Sequence, residues 1–258
     1  MSRIKALFGS KSKKILSVYV TAGFPSLNDT ISVIEELERN GVDMVELGIP
    51  YSDPIADGPT IQESSAIALQ NGMRIKVLFE QLSELRQRVS IPVVLMSYFN
   101  PVNVFGFEKF CQYASNVGVD GLIIPDLPCY EYEAMKYDKI VNENNLTFNM
   151  LITSETPEDR IRKIDKMTNG FIYMVSTTAT TGGTNGISES QISYFKKVSE
   201  MNLKNPLMVG FGVHNKQTFE EATSFCNGAI IGSAFIRILR KSSNIENSIK
   251  EFVSSLKG

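Results

Sequence analysis

Histidine and cysteine are scarce in this chain, and each shortage narrows its chemistry. His214 is the only histidine among 258 residues. No His-rich metal cluster can be assembled from it, and a Ser-His-Asp hydrolase would have to be built on that one position. The three cysteines, Cys111, Cys129 and Cys226, form no Cys-x-x-Cys pair and leave an odd count. That pattern fits a reducing compartment rather than a disulfide framework. Basic charge is not in excess: 26 Lys and Arg stand against 28 Asp and Glu, a formal net charge of -2. Such a chain has no positive field for a phosphodiester backbone, so a small molecule is expected as ligand and nucleic acid is not. No apolar run is long enough to span a membrane. The basic start (Arg3, Lys5, Lys11, Lys13, Lys14) leads into an apolar run that is short, interrupted by Ser17 and followed by no small-x-small cleavage pattern, so it does not read as a signal peptide.

What the chain does have is repetition. Short apolar runs recur at 15–21, 44–48, 92–97, 121–124, 147–152, 171–175, 207–210 and 229–231. Each reads as a parallel strand buried on both faces. Amphipathic segments lie between them, for example Leu27, Ile31, Ile34 and Leu37, or Val77, Leu78, Leu82, Leu85 and Val89. A glycine precedes several strands in the same way, in Asn40-Gly41, Val117-Gly118, Asn169-Gly170 and Asn227-Gly228, as a left-handed helix C-cap requires. Eight βα units in a chain of this length predict an α/β fold, a single (β/α)8 TIM barrel over residues 1–258 with an N-terminal helix at about 1–12. The alternative is an open doubly wound sheet. No Gly-x-Gly-x-x-Gly follows the first strand to support it. The longest loops, 50–60 and 176–188, follow the second and sixth strands and therefore belong to the catalytic face of a barrel.

Glu46 is a carboxylate in the middle of Met44-Val45-Glu46-Leu47-Gly48, where a doubly buried strand should be apolar. None of the eight runs contains Lys or Arg. A buried ion pair would therefore need a partner reaching in from a loop, whereas an unpaired buried carboxylate has a raised pKa suited to proton transfer. The missing strand lysine also argues against a Schiff-base aldolase. Asp57, in Ala56-Asp57-Gly58-Pro59, belongs just above Glu46, although Asp-Gly is also a common turn pair. Asp126 and Tyr173 fall near strand ends, as chemistry or as satisfied core polar groups. Glycines gather after the last three strands: Gly182-Gly183, Gly210 with Gly212, and Gly232-Ser233. Any one of them could serve only a tight turn, but three clusters at successive strand ends suit a phosphate cradle of backbone amides.

The segment Val45-Glu46-Leu47-Gly48-Ile49-Pro50-Tyr51-Ser52-Asp53-Pro54-Ile55-Ala56-Asp57-Gly58-Pro59-Thr60-Ile61-Gln62 resembles the signature of the tryptophan synthase α family. Further agreement comes from Tyr98-Phe99-Asn100-Pro101, the run 121–128, Gly210-Phe211-Gly212 and the run 228–234, so the likeness spans nearly the whole chain. The resemblance implies a cytoplasmic carbon–carbon lyase of L-tryptophan biosynthesis that cleaves indole-3-glycerol phosphate to indole and glyceraldehyde-3-phosphate. It implies no cofactor in this chain, and a β subunit carrying pyridoxal phosphate as partner in an α2β2 heterotetramer. By the same resemblance Glu46 is the acid–base group, Asp57 binds the indole N–H, and Tyr173 stands beside Glu46. Tyr19, Ile61, Met96, Tyr98 and Phe211 surround the indole, Thr181 also binds the substrate, and Gly182, Gly212, Gly232 and Ser233 hold its phosphate. The chain departs from the family in its sixth loop, where Ala179-Thr180-Thr181-Gly182 replaces Gly-Val-Thr-Gly and Thr177 stands where an Arg is usual. That departure bears on loop closure more than on the chemistry. Rival readings are another phosphate-binding barrel of the same pathway, such as an isomerase or the indole-glycerol-phosphate synthase, and a degenerate barrel kept as a regulatory partner of the β subunit.

Overall fold

The computed structural model describes residues 2–175, 187–210 and 212–257. Its strands are β1 (Ile15–Thr21), β2 (Met44–Gly48), β3 (Val93–Met96), β4 (Gly121–Ile123), β5 (Thr147–Phe148), β6 (Leu151–Thr153), β7 (Ile172–Val175), β8 (Leu207–Val209) and β9 (Gly228–Ile231). All pairings are parallel, in the order β5-β4-β3-β2-β1-β9-β8-β7-β6. Helices occupy the connections, which gives the (β/α)8 barrel expected from the alternation.

The predicted fifth strand, 147–152, is corrected to two short pieces. The chain changes pairing partner between them. The backbone N–H of Asn149 donates to Leu122 O at 2.9 Å on the β4 side, while Met150 O accepts from Tyr173 N–H at 2.9 Å on the β7 side. The buried Asn149 side chain spans the same seam: its Oδ1 accepts from Phe171 N–H at 2.9 Å and its Nδ2 donates to Leu122 O at 3.2 Å. A strand this short can switch partners because its amide side chain satisfies backbone groups that would otherwise be orphaned.

Strand alternation sorts the core into two compartments. Leu16, Val18, Val20, Val45, Leu47, Val93 and Leu95 pack outward against the helices, for instance against Ile31, Ile34 and Leu37 of the helix Thr30–Arg39. Ile15, Met44, Val94, Ile123, Phe171, Tyr173, Met208 and Ile230 fill the barrel interior. Burying each such aliphatic side chain contributes roughly 1.5–3 kcal/mol.

The N-terminal helix spans Arg3–Ser10, shorter than the 1–12 expected. It stops where Lys11 takes up extended backbone, and its fully buried Ile4 joins the interior cluster from below. Arg3 fixes the helix to Asp120 at 3.0 Å, and Asp120 also binds Arg86 at 2.5 Å and the Val93 N–H at 2.9 Å.

Two of the four predicted glycine C-caps are left-handed, Gly41 at φ 86° and Gly118 at φ 83°. Gly170 and Gly228 are not, and a different constraint holds them. A β-carbon on Gly170 would lie 2.2 Å from Asn149 Oδ1, and one on Gly228 would lie 2.4 Å from Ile15 O. Both are glycine because a neighbouring strand leaves no room for a side chain. Left-handed asparagines, Asn145 at φ 56° and Asn202 at φ 51°, stand instead at the chain's exits from two other helices.

Candidate active site

β2 carries Met44, Glu46 and Gly48 toward the barrel axis, because its other side chains, Val45 and Leu47, belong to the outer compartment. Glu46 is wholly buried, and neither carboxylate oxygen has a hydrogen-bond partner among the described residues. Burial pushes its pKa up to about 8, so the side chain is mainly a neutral acid at pH 7. The buried ion pair considered from the sequence is therefore absent among the described residues.

Two tyrosines flank it. Tyr19 pairs in register with Glu46 from β1, and Tyr173 enters from β7. Burial holds both phenols far above their ordinary pKa, and the carboxylates of Glu46 and Asp57 reinforce this. The two rings lie where glycine makes space: a β-carbon on Gly48 would come within 2.0 Å of the Tyr19 hydroxyl, and one on Gly210 within 1.7 Å of the Tyr173 ring. Ser17 Oγ, one inward position before Tyr19 on β1, also lacks a partner among the described residues.

Asp57 sits half-buried on the loop before the helix Pro59–Gln70. Burial raises its carboxyl to about pH 6, against a lowering hydrogen bond from the Tyr98 hydroxyl. The Tyr98 oxygen in turn accepts the Ala56 N–H at 3.0 Å. Tyr51 packs beside it, with ring centroids 5.3 Å apart. Electrostatically, Tyr19, Glu46, Asp57, Tyr98 and Tyr173 thus form one group at the mouth of the barrel. Met96 ends β3 opposite Gly48.

The glycines after the last strands are partly described. Gly232 precedes the helix Ser233–Lys241, and a β-carbon on it would face Tyr19 at 3.5 Å and Ile61 at 3.8 Å, so this end of the barrel opens toward the same mouth. Gly212 is left-handed, at φ 77°. Thr181, Gly182, Gly183 and Phe211, with the altered loop residues Thr177, Ala179 and Thr180, lie outside the described residues. Asp126 takes a structural part: it is exposed, and its carboxylate accepts the Phe99 N–H at 2.7 Å, capping the helix Phe99–Phe105. Sequence reasoning missed the hold of Tyr98 on the Asp57 loop and the pair formed by Thr21 and Ser64, whose hydroxyls meet at 2.7 Å behind Tyr19. The inward period of β1, from Tyr19 to Thr21, was the available signal for the second.

A neutral buried acid, a nearby carboxylate that is mostly ionised at pH 7, and amide-rich strand ends can move a proton, hold a cationic N–H and bind an anion. Comparison with known proteins supports a specific version of that chemistry. A family model described as tryptophan synthase alpha chain matches residues 6–257. The tryptophan synthase alpha chain of Flavobacterium psychrophilum is 54% identical over 95% of this chain and 96% of its own. That of Parabacteroides distasonis is 50% identical over the whole of both. The crystal structure of tryptophan synthase subunit alpha from Legionella pneumophila superposes with a TM-score of 0.89 at 29% identity, covering 100% of this chain and 97% of the other. With this likeness running through nearly the whole chain and its fold, the chain belongs to the tryptophan synthase alpha chain family, the carbon–carbon lyases that cleave indole-3-glycerol phosphate to indole and glyceraldehyde-3-phosphate.

Proposed function

We propose that Glu46 carries both proton transfers of this cleavage, and the observation behind the reading is its unpartnered, buried, neutral carboxyl group. As an acid it donates its proton to C3 of the indole ring, and the ring becomes an indoleninium cation. The resulting Glu46 carboxylate then takes the proton of the adjacent glycerol hydroxyl. The C–O bond becomes a carbonyl, the bond to C3 breaks, and its electrons return to the ring. Glu46 ends as it began, and no outside electron sink is required.

Asp57, mostly ionised at neutral pH, accepts the indole N–H and stabilises its positive charge at the intermediate. Tyr98 positions Asp57, Tyr173 packs beside Glu46, and Tyr19, Ile61 and Met96 border the ring. Gly212, Gly232 and Ser233 offer backbone amides to the phosphate, with Ser233 at the first turn of its helix. Thr181, Gly182 and Phe211 complete the set by resemblance.

The family's name implies a β-subunit partner, and we assign the chain to an α2β2 complex in the cytoplasm, with pyridoxal phosphate held by the β subunit. No helix among the described residues is long and apolar enough to cross a membrane. Docking near residues 51–54 would steady the loop that carries Asp57 and raise the cleavage rate.

Glu46→Gln tests the central assignment. The amide keeps the shape but moves no proton, so turnover of indole-3-glycerol phosphate should fall on the order of 10²- to 10⁴-fold while circular dichroism is unchanged. Turnover near that of the parent in a folded variant would overturn the role.

A further inference from the structure

The helix Ser233–Lys241 directs its basic side chains to two places. Arg240 reaches Glu63 at 2.5 Å. Arg237 and Lys241, one turn apart on another face and both exposed, have no ion pair among the described residues. They line a cleft of about 460 Å³ whose other walls are His214, Ala234, Ile238, Ser242 and Ser248, and among the described residues no carboxylate lines it. Several other exposed cations do meet carboxylates: Arg39 meets Glu35 and Glu36, Lys163 meets Glu133, and Lys197 meets Glu158. Like charges at i,i+4 weaken a helix. Here no carboxylate among the described residues pairs with either to offset that repulsion.

The remaining polar groups suit an anion. Ser242 Oγ and Ser248 Oγ lie 2.9 Å apart, so one hydroxyl donates to the other and the second proton stays free to point into the cleft. His214 Nδ1 lies 2.9 Å from Gly212 O. A carbonyl only accepts, so the ring donates from Nδ1 and is tied to the loop after β8. Gly232 faces inward toward Tyr19 and Ile61, whereas this cleft opens between the outer face of its helix and Ser248 of the helix Ile245–Lys257. It is therefore separate from the barrel mouth.

We propose that the cleft is a second anion site, built for a ligand of the diphosphate class. Side chains at i and i+4 start about 5–6 Å apart, so one guanidinium and one ammonium can each take a phosphoryl group, and the free serine hydroxyl takes a further oxygen. The site itself does not depend on the assignment of the substrate's phosphate cradle.

The single histidine makes the test direct, because its ring signals in a proton–carbon NMR spectrum belong to His214 alone. Inorganic pyrophosphate is titrated into the full chain at constant ionic strength, with glycerol 3-phosphate saturating the barrel mouth. A saturable shift of the His214 signals is expected. The exposed double variant Arg237→Gln/Lys241→Gln should weaken that binding about tenfold or more with unchanged circular dichroism. Absence of a saturable shift in the parent chain, or a shift with undiminished affinity in the double variant, overturns the proposal. Loss of the shift as glycerol 3-phosphate is added also overturns it, by placing the ion in the inward-facing cradle. Failure of glycerol 3-phosphate itself to bind, read by calorimetry, counts instead against the cradle assigned above and leaves the pyrophosphate result interpretable.

Discussion

Tyr98 holds the loop of Asp57 through its oxygen, which accepts the Ala56 N–H at 3.0 Å, and its O–H donates toward the nearby Asp57 carboxylate and lowers that group's pKa. The donation stabilises the ionised form, so removing it raises a pKa that already stands at about 6. In Tyr98→Phe the acidic limb of the kcat/KM profile should move to higher pH, by up to about one unit for one lost hydrogen bond. The loss of activity should be greater at pH 6 than at pH 8. A uniform loss across that range would detach Tyr98 from Asp57 ionisation.

Glu46 should also be visible in stability. Its pKa rises from 4.5 to about 8 on folding, so between those values the unfolded chain binds fewer protons than the folded one. Stability therefore falls as pH rises through that window, and the loss is complete above about 8. Glu46→Gln removes the effect. Urea unfolding should find the variant gaining on the parent chain from pH 5 to pH 8, by on the order of a few kcal/mol. A constant difference over that range would mean the carboxyl is not desolvated.

Gly210→Ala probes the space beneath Tyr173. With a β-carbon at 1.7 Å from the ring, either the strand end or the tyrosine must move. We expect a cost of roughly 1–3 kcal/mol, as for overpacking elsewhere, together with reduced turnover. Gly9→Ala, with nothing within 4 Å of the new carbon, is the matched control and should be neutral or slightly stabilising.

Gly212→Asp places a side chain and a negative charge at a left-handed position of the proposed phosphate loop. Calorimetry with glycerol 3-phosphate should show binding weakened about tenfold or more, roughly 1.4 kcal/mol. Gly212→Asn, which tolerates the same backbone without the charge, should weaken it less. Equal affinity in all three proteins would remove this loop from the site.

Most of the barrel is legible in the sequence because its strands are buried on both faces, and runs such as 15–21 and 44–48 announce themselves by composition. Glu46 was legible for the same reason, as the one charge that such a strand should not contain. The break at Asn149 was not. A polar residue inside an apolar run says nothing of which neighbouring strand its backbone serves, and that partner change is a tertiary property. Gly170 and Gly228 misled because a helix C-cap and a close strand contact both demand glycine, and only the fold separates the two. The grip of Tyr98 on Asp57 joins residues 41 positions apart in separate connections, which no local period encodes.

The seam at Asn149 bears on the order in which the chain assembles. Up to Phe148 every strand but β1 pairs only within the first five, and from Leu151 onward every strand but β9 pairs only within the last four. Each arc can therefore form from contacts between successive strands, at small loop-closure cost. The ring is completed only when Ile15 meets Gly228, residues near opposite ends of the chain, and that pairing carries the largest entropic penalty. Pulse-labelled hydrogen exchange during refolding should accordingly find the amides between β1 and β9 protected after those within either arc. Protection of that pair first would mean that the two ends of the chain meet before either arc has formed.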